Sequence, residues 1–206
     1  LIITLGSAFS YALKNEKIAV ANCHRAPADW FSKKLLSVEE ILSAFDELLY
    51  RLFEFNPSLK IIFTVSPVRH IRDGIIENNR SKARLIEVVH HFTNKFGQIY
   101  YFPAYELVID VLRDYRFYDK DLVHPNYQAT GFVLENFMQF YIEPESARIA
   151  EEIKKIRIAY RHKALHPDTG AHRRFLKEQL LKAKELAEKY PFLDLQQEIA
   201  HFSSIR

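Results

Sequence analysis

Lys60-Ile-Ile-Phe-Thr-Val65, stopped at once by Ser66-Pro67, is the stretch on which the fold turns. A short, continuously apolar run that ends in a proline reads as a strand buried on both faces of a sheet. Helical patterns flank it on either side. Upstream, Ser37-Val-Glu-Glu40 is a capping box, in which hydroxyl and carboxylate satisfy amides of the first turn. Ile41, Leu42, Phe45, Leu48, Leu49 and Leu52 follow at helical spacing. Downstream, Ser81 to Phe96 repeats that period through Leu85, Val88, Val89 and Phe92, with Gly97 as the expected C-terminal stop.

Further outward, Leu1 to Leu5 is a second buried-strand pattern ending at Gly6, and Gln98 to Phe102 is a third ending at Pro103. Strand, helix, strand, helix, strand predicts parallel β-α-β units with right-handed crossovers. Ligands of such sheets bind at the carboxyl ends of the strands, so the loops after Leu5, Val65 and Phe102 are the ones to watch. The excursion holding Ile18 to Val20 and Trp30 is expected to form a small hairpin over the site. A helix from Asn126 to Tyr141 offers Phe132, Val133, Phe137 and Phe140 to the core, and Pro144 marks a boundary. Residues 1–143 are therefore read as an α/β domain and 144–206 as a helical extension. In the extension, Ile149, Ile153, Ile156 and Tyr160 form one stripe, and Leu176, Leu180, Leu181, Ala183 and Leu186 another. His166-Pro167-Asp168-Thr169-Gly170 is the turn between them.

Composition narrows the function classes. In 206 residues, 48% hydrophobic and 27% charged, no apolar run approaches the ~20 residues a membrane span needs. The first residues lack the charged and apolar regions of a secretory leader, and a soluble protein is expected, with the single cysteine fitting a reducing, cytoplasmic compartment. The lone Cys23 excludes an internal disulfide and a Cys-only zinc cage. A net charge of +3, with the basic excess of the last third diluted by glutamates, reads as a solvated helix face and not as a nucleic-acid surface. Because the sequence opens on Leu1, directly in a strand pattern, it is read as a piece of a longer protein.

The sharpest local feature is Asp121-Leu-Val-His124-Pro125. A carboxylate three residues before a histidine on a stiff turn can accept the Nδ1 proton, which leaves the other ring nitrogen as a base. The ordered set around it is informative as well: Thr4-Leu-Gly6-Ser7, Val20-Ala-Asn22-Cys23-His24, Val65-Ser-Pro-Val-Arg69-His70 with Asp73-Gly74, and Ser81-Lys82-Ala83. Tyr101-Phe-Pro-Ala-Tyr-Glu106 and Leu112-Arg-Asp-Tyr-Arg-Phe-Tyr118 then lead into Asp121 to His124. This series resembles the GSCFA family of the SGNH, or GDSL-like, hydrolase superfamily, over roughly residues 1 to 141.

The resemblance implies a flavodoxin-like three-layer parallel sheet, here lacking its first strands, and a Ser-His-Asp esterase or acyl hydrolase that needs no metal or organic cofactor. His124 would be the general base and Asp121 its orienter. The serine of the family's Gly-Ser-Cys-Phe-Ala motif would lie upstream of Leu1, so the isolated chain is expected to be inactive. Related hydrolases often carry Gly-x-Asn-Asp where this chain has Gly6-Ser7-Ala8-Phe9, so an oxyanion donor would come from the Gly6 or Ser7 backbone or from Asn22. Ser7 as the nucleophile is the minor alternative.

Arg69 and His70 fall on the ligand face and could bind a substrate carboxylate or phosphate. The competing reading pairs Arg69 with Asp73, Asp114 or Glu106 to hold loops together. His90-His91 lacks partners at metal spacing, and Cys23 is read as a part-buried structural cysteine. The expected partners are a small acyl ester or carbohydrate substrate, with deacetylation of a carbohydrate or envelope component as one such reaction. Neither nucleic acid nor membrane is expected, and self-association would run through the exposed first strand or the helical tail. A ligand-binding protein without turnover, using Arg69, His70 and Asn78 or Asn79, is the alternative function.

Overall fold

The computed structural model describes residues 1–16, 18–21, 23–166 and 168–204, which form a mixed α/β unit, Leu1–Phe137, and a helical unit, Met138–Arg206. In the first, β1 (Ile2–Leu5) leads into β2 (Phe9–Leu13), β3 (Ala19–Val20) and β4 (Phe31–Leu35). Helix α1 (Val38–Phe55), β5 (Ile61–Val65), α2 (Gly74–Lys95) and β6 (Ile99–Tyr101) follow. Strands β1, β5 and β6 form a parallel sheet in that order, with Leu5 opposite Val65 and Phe63 opposite Tyr101.

The central strand is buried almost throughout, as its unbroken apolar run requires. Ile61, Phe63 and Val65 point into a core shared with Leu49 of α1 and with Leu85, Val88, Val89 and Phe92 of α2. Phe45, Phe63 and Phe92 meet there with ring centroids 5.7 to 6.3 Å apart. Full burial of each such ring stabilises the fold by about 1.5–3 kcal/mol. The first strand differs from its expectation of burial on both faces. Ile3 and Leu5 pack on the same core, but Ile2 and Thr4 alternate to the other face and stay exposed. Strand β1 lies at the sheet's edge, where only β5 pairs with it among the described residues.

The capping box forms as expected: Ser37 Oγ accepts from the Glu40 amide at 3.2 Å, and Glu40 accepts from the Ser37 amide at 2.9 Å. Helix α2 begins at Gly74, seven residues before the apolar period becomes visible, and Gly74 takes φ +82°, a region that favours glycine. Its C-cap is Phe96, and Gly97 is not left-handed, so the expected glycine stop is replaced by an extended one. The excursion is a three-stranded antiparallel sheet in the order β3-β2-β4 in place of a two-stranded hairpin, and Trp30 is exposed at its edge. Lys33 on β4 pairs with Asp73, fastening this sheet to the turn that starts α2.

After β6, α3 (Ala104–Glu106) runs into a π-helical segment, Leu107–Leu112, and α4 (Tyr127–Tyr141) follows the Asp121–His124 turn. Of the core residues expected on α4, Phe137 meets Phe102 edge to face at 5.1 Å, whereas Phe140 is exposed. In the second unit, α5 (Pro144–Arg161), α6 (Gly170–Lys189) and α7 (Gln196–Ser203) enclose Ile156, Ala159, Ala183, Leu195 and Phe202. Thr169 caps α6 by accepting from the His172 amide, while Pro167 of the expected helix-helix turn lies outside the described residues. Among the described residues no helix is long and apolar enough to cross a membrane.

Candidate active site

The segment that carries Asp121 and His124 is closed on itself by backbone bonds. Tyr118 and Pro125 form an antiparallel bridge, and the Asp119 amide donates to the His124 carbonyl at 2.8 Å. Leu122 takes φ +57°, which makes the turn tight enough for both side chains to meet. Asn126 fixes its exit: Nδ2 donates to the Arg116 carbonyl at 2.7 Å, while Oδ1 accepts from the Gln128 and Ala129 amides and caps α4.

Asp121 is surrounded by donors. Its Oδ1 accepts from the amides of Val123 at 2.9 Å and His124 at 3.1 Å, and its Oδ2 lies 2.6 Å from His124 Nδ1. These bonds, the imidazole first and the two amides next, hold the carboxyl down at about 2. An ionised carboxylate only accepts, so the proton between them sits on Nδ1, the tautomer that in a neutral imidazole puts the lone pair on Nε2. The imidazole side chain is 58% exposed, and among the described residues Asp121 is its hydrogen-bonding partner.

The pair stands between two concavities. His124 lines an apolar groove of about 550 Å³ with Thr4, Thr64, Ser66, Phe102 and Val133. Asp121 lines a second pocket of about 460 Å³ with Arg69, Asn78, Asn79, Tyr105 and Tyr115. The Arg69 amide donates to the Val123 carbonyl at 3.2 Å, which ties the loop after β5 to the Asp121–His124 turn.

Beneath the ends of β1 and β5 lies a lysine to which the sequence pattern gave no role. Lys82 of α2 is 1% exposed, and its Nζ donates to the carbonyls of Gly6 and Ser66, each at 2.6 Å. Burial lowers it to about 8. Its neighbour Ser81 accepts from the Ala8 amide at 2.7 Å. The Gly6-Ser7-Ala8 loop is thus held from below at two successive points. His70 belongs to this cluster: burial first, then the Lys82 charge, lowers its pKa, and the His70 amide donates to Asn78 Oδ1 at 2.9 Å.

The structure therefore brings Asp121 together with His124, and Gly6 together with His70 around Lys82. It places Arg69 in the pocket beside Asp121, whose lining does not include His70. Ser7 does not line the groove that His124 faces; the serine that does is Ser66, whose Oγ accepts from the Val68 amide at 3.2 Å. Asn22 lies outside the described residues. Cys23 is a free, part-buried thiol, His90 and His91 are exposed, and no metal-binding cluster occurs among the described residues.

An α/β protein with a parallel three-stranded sheet, a tethered Asp-His pair at its carboxyl edge and an appended helical unit is the class these observations define. The chain belongs to the GSCFA family, whose model matches residues 1–137, and a model of the GSCFA C-terminal domain matches residues 153–205. Neither a curated protein nor a solved structure matches it.

Proposed function

We propose that this chain carries the imidazole-carboxylate half of an SGNH-type Ser-His-Asp site on a flavodoxin-like sheet, in a serine esterase or acyl hydrolase. The observation that carries this is the 2.6 Å contact of His124 Nδ1 with an Asp121 carboxylate already held by two amides. That arrangement fixes the tautomer and leaves Nε2 as a base for a serine hydroxyl. It also stabilises the imidazolium formed when the proton moves. The hydroxyl attacks the ester carbonyl, the alcohol departs with the proton from Nε2, and water releases the acyl group by the same route. The nucleophile comes from a segment outside residues 1–206, packed against the groove His124 lines. In support, no hydroxyl of the described residues hydrogen-bonds the imidazole.

His124→Ala in the full-length protein is expected to reduce turnover of 4-nitrophenyl acetate by about a thousand-fold or more, with an unchanged melting temperature. Turnover retained in that variant would remove the mechanism. Nε2, without a hydrogen-bond partner among the described residues, also fits a second reading, a protein that holds a ligand at this edge without turnover, and wild-type full-length protein inactive on a panel of acyl esters would favour it.

A further inference from the structure

We propose that the pocket beside Asp121 is a binding site for an oxyanion, a carboxylate or phosphate carried by the substrate on the side of the dyad away from the apolar groove. Three carboxylates could have neutralised Arg69, and each is engaged elsewhere. Asp73 pairs with Lys33, Asp114 with Arg116 at 2.8 Å, and Glu106 accepts from the Tyr101 hydroxyl at 2.8 and 2.9 Å. Among the described residues no carboxylate lies within ion-pair distance of the Arg69 guanidinium.

Its charge is held instead over two aromatic faces, 4.4 Å from the Tyr118 ring centroid and 5.0 Å from that of Tyr115. The Tyr115 and Tyr118 hydroxyls also engage the guanidinium, but two phenol oxygens cannot take up its five N–H donors, and a half-buried cation with donors to spare is a fork for a planar or tetrahedral oxyanion. The wall opposite is built for a small organic body: Asn78 and Asn79 supply amides, and Ile71, Ile75, Ile109 and Leu122 supply apolar surface. Asp121 shares the lining and stays ionised, but its oxygens are occupied by His124 and the two amides, which leaves the Arg69 guanidinium as the charged group with donors open to a ligand. A ligand seated here lies against the back of the dyad, so the site selects acyl esters with an anionic substituent over neutral ones.

This identification of the substrate rests on the hydrolytic reading of Asp121 and His124, whereas occupancy of the pocket does not, and the test separates the two. The 206-residue chain, labelled with ¹⁵N, is titrated with glutarate, with inorganic phosphate and with neutral glutaramide while amide shifts are followed. Saturable shifts confined to residues 69–79 and 115–122, produced by glutarate or phosphate and not by glutaramide, are expected. The anion that saturates at lower concentration tells a carboxylate from a phosphate. Arg69→Gln should weaken binding at least ten-fold. Because Arg69 also lies over two rings, Ile75 gives an independent variant: it is 75% exposed, so a polar side chain there is accommodated. Ile75→Glu should weaken binding about ten-fold and Ile75→Lys should strengthen it two- to five-fold. Equal shifts from glutarate and glutaramide, or anion binding indifferent to both Arg69→Gln and Ile75→Glu, would overturn the site. In the full-length protein, 4-nitrophenyl hemiglutarate should then show a KM at least ten-fold below that of the neutral butyrate ester. Anion binding without turnover of either ester would defeat the hydrolase reading alone, and equal KM values would defeat the substrate assignment alone.

Discussion

Two structures sit at the carboxyl edge of the parallel sheet and are held in opposite ways. The Asp121–His124 turn is exposed, and its side-chain bonds span ten residues or fewer, from the 2.6 Å Asp-His contact to the Asn126 bond on Arg116, with one main-chain bond, from the Arg69 amide to the Val123 carbonyl, tying it to the sheet. The Lys82 cradle is buried, and its bonds reach 16 and 76 positions along the chain to the ends of β5 and β1. An exposed, locally bonded turn can be altered with little effect on folding, whereas a buried charge that joins two strand ends cannot. On the proposed reading, chemistry and stability are therefore carried by neighbouring but separable groups.

The largest effect should come from the turn. Asp121→Asn removes the acceptor that fixes the imidazole tautomer, and turnover in the full-length protein should fall by as much as about ten-thousand-fold with KM little changed. Its stability signature is confined to acid. Asp121 titrates at about 2 in the folded chain against an ordinary 3.8, so its contribution is present above pH 4 and lost as pH falls toward 2. Acid unfolding curves of Asp121→Asn should lack that slope and otherwise overlay the wild type.

Lys82→Met should show the reverse pattern. Two buried carbonyls lose their donor at about 1–3 kcal/mol each, partly offset by the charge no longer being buried, and urea unfolding should detect a net loss. The pH dependence is more specific. Between about 8 in the folded chain and 10.5 in the unfolded one, the unfolded state keeps a proton that the folded state has released. Wild-type stability should therefore rise with pH across that interval by up to about 3 kcal/mol relative to Lys82→Met. A parallel pH dependence in the two proteins would break the comparison.

Smaller effects grade it. Ser81→Ala orphans the Ala8 amide and should cost about 1–2 kcal/mol in urea unfolding. Ser37→Ala, which removes the exposed α1 cap remote from both regions, should cost about 1 kcal/mol and leave turnover unchanged.

The same contrast explains what could be read in the sequence. The turn was legible because its partners are three residues apart, and α1 because a capping box precedes a clear apolar period. Helix α2 was legible only from Ser81 onward: Ile75 and Ile76 are exposed and Asn78-Asn79 break the pattern, so its first turns leave no periodic signal. The three-stranded excursion escaped because Phe9–Leu13 and Phe31–Leu35 are short, half-polar and separated by seventeen residues. Lys82 was invisible in principle, since a lysine in a helical stretch reads as solvated and its acceptors are main-chain carbonyls that only the folded sheet brings together. For Arg69, the choice between ion pair and ligand fork depended on which carboxylates had other partners, and that is tertiary information.

The central claim, that Asp121 and His124 serve a serine nucleophile supplied from outside residues 1–206, is tested most directly by fluorophosphonate labelling. The 206-residue chain and the full-length protein are compared by intact mass, with peptide mapping of any adduct. A single adduct on the full-length protein, at a serine outside residues 1–206 and abolished by His124→Ala, is the predicted result. An adduct at Ser7 or Ser66 in the 206-residue chain, or labelling of the full-length protein that survives His124→Ala, would contradict it.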